Sequence, residues 1–209
     1  MLFKRMKKFI LNLIINIYRF IRRNKIIYYS GTFNNWEEAK LSSKGYNDLK
    51  ILRKVKNSTK QVLYGKAVYE RDGVAFFKSD FSYQVLATIL RASTENKNEC
   101  KIIDFGGSLG SSYYQNQGFL KSIKNLKWIV VEQDNYVRVG NKYFSNKNLK
   151  FYESFEKALH YLKKPNIVII SGTIQYMPDP YLVLNKIINS DADYILIDRS
   201  PFILNGKTK

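Results

Sequence analysis

Cysteine is nearly absent from this chain. Cys100 is the only one in 209 residues, which excludes an internal disulfide framework and fits a reducing compartment. Histidine is as scarce, with His160 alone, so no Cys/His cluster suggests a metal site. Only four prolines occur, and no internal repeat or low-complexity linker is visible. No stretch approaches the roughly 20 apolar residues that a membrane-spanning helix needs. A Gly-x-Ser-x-Gly hydrolase elbow is missing too. With 45% hydrophobic residues the chain still has enough apolar material for the core of one domain.

Acidic residues are the other shortage, and it is local. Residues 1–66 carry sixteen Lys and Arg against three Asp and Glu, a net of +13 out of the +18 of the whole chain. The remainder has nineteen basic and fourteen acidic residues. The excess charge therefore belongs to an N-terminal extension. In residues 1–25, Phe3, Met6, Phe9, Ile10, Leu13, Ile17, Phe20 and Ile21 fall at helical spacing, and Arg5, Lys8, Arg19 and Arg23 occupy the other side. This predicts an amphipathic helix whose charges are all basic. Arg22-Arg23-Asn24-Lys25 stands where the small residues of a signal-peptide cleavage site would be. Two readings remain open: a helix lying on an anionic membrane surface, or a docking helix with its apolar side against the domain. Basic charge together with sixteen Tyr would also suit RNA. However, the basic residues concentrate on an apolar-faced helix, and aromatics such as Phe151 and Tyr194 sit in strand-like contexts, so nucleic acid is not favoured as a partner.

The most informative stretch is Asp104-Phe105-Gly106-Gly107-Ser108-Leu109-Gly110, which follows the apolar run Lys101-Ile102-Ile103. An acid and then glycines at the exit of a buried strand allow a tight turn and close approach of a nucleotide. Trp128-Ile129-Val130-Val131-Glu132 reads as the next buried strand, and Glu132 lies 22 residues after Gly110 (132 − 110). That is close to the spacing of about 20 expected for a carboxylate that binds ribose hydroxyls. A dinucleotide G-x-G-x-x-G fails, because Ser108 and Ser111 stand at the second and third glycine positions. The phosphate loop G-x-x-x-x-G-K-[ST] fails as well. The pattern present is Asp-x-Gly-x-x-x-Gly.

Further strands are predicted at 148–152, 166–172 and 193–199, with a helix over 181–188 between the last two. Strands alternating with helical segments make an α/β fold with a Rossmann-like parallel sheet of five strands. Three parts are expected: the basic amphipathic helix over 1–28; an N-terminal helical cap over 29–98, with helices at 36–41, 47–65 and 81–93; and the nucleotide-binding core over 99–209.

The Asp104–Gly110 loop resembles motif I of class I S-adenosylmethionine (SAM)-dependent methyltransferases, with Ser108 where many relatives carry a middle glycine. Ser171-Gly172-Thr173-Ile174-Gln175-Tyr176-Met177-Pro178-Asp179-Pro180-Tyr181 resembles their segment after strand four. More narrowly, Gly31, Trp36-Glu37-Glu38-Ala39, Gly45-Tyr46, Arg71-Asp72 and Asp198-Arg199-Ser200-Pro201-Phe202 look like a methyltransferase family of bacterial surface-polysaccharide gene clusters, from about residue 29 onward. The resemblance implies a SAM cofactor and methyl transfer to a sugar or lipid-linked surface glycan, in the cytoplasm or on the inner face of the cytoplasmic membrane. It implies cofactor contacts at Asp104, Gly106, Gly107, Ser108, Gly110, Glu132, Gln133, Glu153, Ser171 and Gln175. It also implies an antiparallel hairpin of strands six and seven after strand five. Only residues 200–209 remain for it, so the sheet is expected to lack that hairpin, with a bare strand-five edge open to a partner chain. The alternative is a non-catalytic or truncated SAM-fold protein acting as a partner subunit.

Methyl transfer from a sulfonium needs alignment and exclusion of water, and no metal. A general base helps when the acceptor is a hydroxyl. Tyr176, Asp179, Asp198 and Arg199 are the candidates for catalytic roles, each with an ordinary loop-packing role as its competitor. His160 lies beside the apolar face of the helix predicted over 154–162 and is read as a surface residue.

Each Lys or Arg close to an anionic membrane contributes about 1 kcal/mol, and the apolar side adds insertion energy that salt does not remove. Anionic liposomes are therefore expected to sediment the full chain but not a chain beginning at Tyr28, with high salt weakening the binding only partly. Equal sedimentation of the two would make residues 1–25 a packing element.

Overall fold

The computed structural model describes residues 33–42 and 48–201. The chain divides into two compact units, residues 1–38 with Lys209, and residues 39–208. The helix expected over 1–28 lies outside the described residues, as does the segment after residue 201. Within the first unit, Asn35 Oδ1 accepts the Glu38 amide at 3.0 Å, and a Glu38 carboxylate oxygen accepts the Asn34 amide at 3.1 Å. This reciprocal pairing starts helix α1 (Trp36–Ser42), none of whose residues is buried.

The second unit is built on five parallel strands: β3 (Glu99–Phe105), β4 (Asn125–Val131), β5 (Leu149–Tyr152), β6 (Ile167–Ser171) and β7 (Tyr194–Asp198). Their spatial order is β5-β4-β3-β6-β7. The fold is Rossmann-like α/β. The order reverses between β3 and β6, and this switch point is where open α/β sheets bind ligands, at the carboxyl ends of the strands.

Alternation explains why the strands read as unbroken apolar runs. Ile102, Trp128, Leu149 and Ile167 stand in one row across the sheet. They share one face with Val55, Ile89, Tyr113 and Val137. The neighbouring row, Ile103, Ile129 and Val168, faces the opposite way and packs with Phe155, Ala158 and Ile187. Both faces are covered, so both sets must be apolar. The first face is covered by α2 (Leu49–Leu63), α3 (Tyr83–Glu95), α4 (Ser111–Gln115) and α6 (Asp134–Tyr143). The short α5 (Gln117–Leu120) follows α4. The second face is covered by α7 (Phe155–Leu162) and α8 (Pro180–Ile188).

Helix boundaries follow local chemistry. Asp48 caps α2 by accepting the Lys50 amide, Ser154 caps α7 through the Lys157 amide, and Asp179 caps α8 through the Leu182 amide, where Pro180 holds the first helical position. His160 lies exposed on α7.

Two features differ from the expectation. Helix α3 packs against β3, β6 and β7, so it belongs to the layer flanking the sheet and is not part of a cap in front of it. Between α2 and α3 runs an antiparallel hairpin, β1 (Tyr69–Arg71) and β2 (Val74–Phe76). Its two-residue turn, Asp72-Gly73, has φ of 53° and 77°. Positive φ at both positions matches the right-handed twist of a hairpin and accounts for the Asp-Gly pair.

At the other edge, β7 carries Ile195 and Ile197 at 37% and 41% exposure. Among the described residues no strand pairs with its outer side.

Gly140 in the middle of α6 is held by close packing. A Cβ there would come within 2.5 Å of the Phe151 ring, and that ring is 2% exposed and cannot swing away. Alanine would gain about 1 kcal/mol of helix propensity but overpack the core by about 1–3 kcal/mol. Gly140→Ala is therefore expected to lower the urea midpoint; an unchanged or higher midpoint would show that Phe151 can yield.

Candidate functional site

The carboxyl ends of β3, β4 and β6, the hairpin and α2 enclose a cavity of about 1070 Å³. This is slightly above the usual size range for one small-molecule site.

Asp104, at the penultimate position of β3, is 1% exposed. The indole Nε1 of Trp128, itself fully buried on β4, donates to its Oδ2 at 3.2 Å. Gly107 lies directly over it, since a Cβ at Gly107 would stand 2.5 Å from the carboxylate. Gly106, at φ 75°, leaves room for the Thr173 side chain, which a Cβ would strike. These two glycines are thus fixed by contacts within the chain. Burial, chiefly, pushes the Asp104 carboxyl up to about 7, with Glu132 adding to the rise, against the Trp128 hydrogen bond and Arg199.

Glu132 follows β4 directly. Its Oε1 accepts the Ser108 amide at 3.2 Å and its Oε2 accepts the Gln133 amide at 2.9 Å. Burial raises its pKa against these two hydrogen bonds. Ser108 has φ 56°, a left-handed conformation that glycine adopts without strain; Glu132 holds it there. Two more loop amides are occupied as well. Gly106 N–H donates to the Val131 carbonyl at 2.9 Å, and Gly110 N–H to the Gly107 carbonyl at 3.0 Å.

Of the residues expected at a cofactor, Asp104, Gly106, Gly107, Ser108, Glu132 and Gln133 line the cavity. Glu153, Ser171 and Gln175 line it as well. Gly110 does not. It is buried at φ 86°, opens α4 and faces the Leu149 side chain. Glu153 is exposed and ion-paired with Lys157, which lowers its pKa. Gln175 Oε1 is buried without a hydrogen-bond partner, so a donor from a bound molecule would satisfy it.

The candidates for catalytic roles divide. Tyr176 and Arg199 line the cavity. Asp179 is engaged in capping α8 at 2.9 Å and Asp198 stands outside the lining. Ser171 Oγ donates to Asp198 Oδ2 at 3.1 Å and accepts from Arg199 Nε at 3.0 Å. This chain ties the ends of β6 and β7 together.

Residues not singled out from the sequence are Lys54 on α2, Glu70 on the hairpin and Gln115 on α4. The Asp-Gly pair was the available signal for the hairpin. Among the described residues no group of three or more His, Cys, Asp or Glu could hold a metal ion.

No protein-family description and no curated protein matches this chain. Among solved structures, the crystal structure of EvdMO1 is similar with a TM-score of 0.35 and 14% identity, over 71% of this chain and 34% of that one. The chain thus spans about a third of that neighbour's length.

Asp104 yields a pH prediction. Its folded value of about 7 lies above the ordinary 3.8, so the folded state holds this proton more tightly than the unfolded state. The corresponding stability is complete below pH 4 and is lost as pH rises through 7. Asp104→Asn keeps an acceptor for Trp128 and removes the ionisation. Its stability relative to the wild type should rise by about a few kcal/mol between pH 4 and 8, read from urea unfolding. A pH-independent difference would show that Asp104 titrates normally.

Proposed function

We propose that this chain is a SAM-dependent methyltransferase acting on a sugar or lipid-linked surface glycan at the cytoplasmic membrane face, with residues 1–25 holding it to the anionic surface. The observation that carries the cofactor reading is the closure of the glycine loop by Glu132. A pyrophosphate is bound by free backbone N–H groups of the loop and the helix start. Here the amides of Gly106, Ser108 and Gly110 are taken by acceptors of the chain itself, one of them the Glu132 carboxylate.

Charge supports the same reading. Six carboxylates and four cations line the cavity of a chain with net charge +18. An acidic pocket in a basic protein suits a ligand that is itself cationic. When bound, SAM supplies a methyl group already activated on a positive sulfur. Glu132 would take the ribose hydroxyls on its remaining lone pairs, Gln133 and Glu153 would flank the base, and Gln175 would accept a hydrogen bond from the ligand. The cavity walls exclude water and orient the acceptor, which is the main requirement for this reaction.

A second reading is a non-catalytic SAM-fold partner subunit. It is favoured by the exposed Ile195 and Ile197 on an edge strand whose outer side no strand among the described residues pairs with, and by the use of Asp179 and Asp198 in helix capping and strand-end hydrogen bonds. Glycan analysis of a deletion strain separates the two. Loss of a methyl substituent, restored by the wild-type gene and not by Glu132→Ala, is the result for the enzyme; an unchanged glycan supports the subunit.

For the cofactor itself, calorimetry with S-adenosylhomocysteine should show binding that Glu132→Ala weakens by about tenfold to a hundredfold, the range for hydrogen bonds to a charged group. NADH should not bind. Binding of NADH in place of S-adenosylhomocysteine would sink the proposal.

A further inference from the structure

Glu70 is a further carboxylate at this cavity, buried like Asp104, and the loop-closing contacts do not use it. It is 3% exposed and lies on β1, in the cavity wall. Its Oε1 accepts the Gly73 amide at 2.9 Å, and its Oε2 accepts the hydroxyl of Ser111. A carboxylate offers about four acceptor positions, so about two remain open.

Among the described residues no Lys or Arg forms an ion pair with Glu70. Its charged neighbour is Asp72, which repels it and, together with burial, raises its pKa. Lys54 and Arg71 line the same cavity, and Arg71 is paired with Asp80 at 3.5 Å. A desolvated carboxylate without a cation is unfavourable unless a positive group arrives. Ser111 is the residue directly after Gly110, so Glu70 meets the chain three residues beyond Ser108, where Glu132 closes the loop. A ligand lying along the loop therefore meets two carboxylates held three residues apart on the chain, Glu132 at Ser108 and Glu70 at Ser111. Asp104 cannot take the second role, because Gly107 covers it and the Trp128 indole occupies it.

Resting on the SAM reading above, we propose that Glu70 receives the α-ammonium of the cofactor's amino-acid end, with Ser111 orienting its carboxylate. The ammonium supplies the missing cation and a donor for an open lone pair. The hairpin thereby becomes part of the cofactor site, and the acceptor is left the side of the cavity formed by Gln175, Tyr176 and Arg199.

The test compares two ligands that share a nucleoside. S-adenosylhomocysteine carries the amino-acid end, and 5′-methylthioadenosine lacks it. By calorimetry, Glu70→Gln should weaken the first by about tenfold to a hundredfold and leave the second within about twofold. Ser111→Ala should show the same selectivity with a smaller loss. Retained methylthioadenosine binding reports that the variant is folded; should Glu70→Gln lose it, Ser111→Ala carries the comparison. Equal losses for both ligands, or no loss for S-adenosylhomocysteine, would overturn the role of Glu70 while leaving the cofactor reading intact. Wild-type protein that binds neither ligand would overturn the cofactor reading and this inference with it.

Discussion

The site rests on carboxylates desolvated at strand ends, with no ion pair to them among the described residues. Asp104 and Glu132 sit at the carboxyl ends of adjacent strands, and each would be costly to bury alone. The Trp128 indole offsets part of this for Asp104, and two backbone amides do so for Glu132. Those partners fix everything around them. Gly107 must be glycine to lie over Asp104, and Ser108 is held in a left-handed conformation by Glu132. A loop assembled this way presents negative charge and few free donors. Its chemistry differs from that of a phosphate-binding loop although both are rich in glycine.

The same economy governs the hairpin. Glu70 fastens the Asp72-Gly73 turn and the first residue after the loop through hydrogen bonds alone. Ser58 adds a bond from its hydroxyl to the Gly73 carbonyl at 2.7 Å. The cavity wall is therefore polar and negatively charged within a strongly basic chain, and a cationic ligand would relieve the strain of three desolvated acids in one place. Arg199 is drawn instead into hydrogen bonding with Ser171 at the β6–β7 end of the cavity.

Much of this was legible in the sequence, for a physical reason. Strands covered on both faces read as continuous apolar runs, so Ile167–Ser171 and the strand ending at Val131 were plain, and with them the positions of the loop and Glu132. The hairpin escaped because its strands have only three residues each, too few for a periodic pattern, although Asp72-Gly73 marked its turn. Glu70 was hidden because its partner Ser111 is 41 residues away. Asp179 and Asp198 have structural work that the sequence pattern also carried: an acid before a proline-led helix is an N-cap, and Asp198 accepts a hydroxyl from the neighbouring strand. Gly110, expected at the cofactor, stands at the turn into α4 against the Leu149 side chain, outside the cavity lining.

The central claim is that the glycine loop serves a cationic nucleoside and not a pyrophosphate. A crystal structure of the protein with S-adenosylhomocysteine tests it most directly. The account predicts ribose hydroxyls on the Glu132 carboxylate, with the Ser108 amide still bonded to Glu132. A ligand seated elsewhere, or a loop whose Ser108 amide leaves Glu132 to bind the ligand, would contradict it.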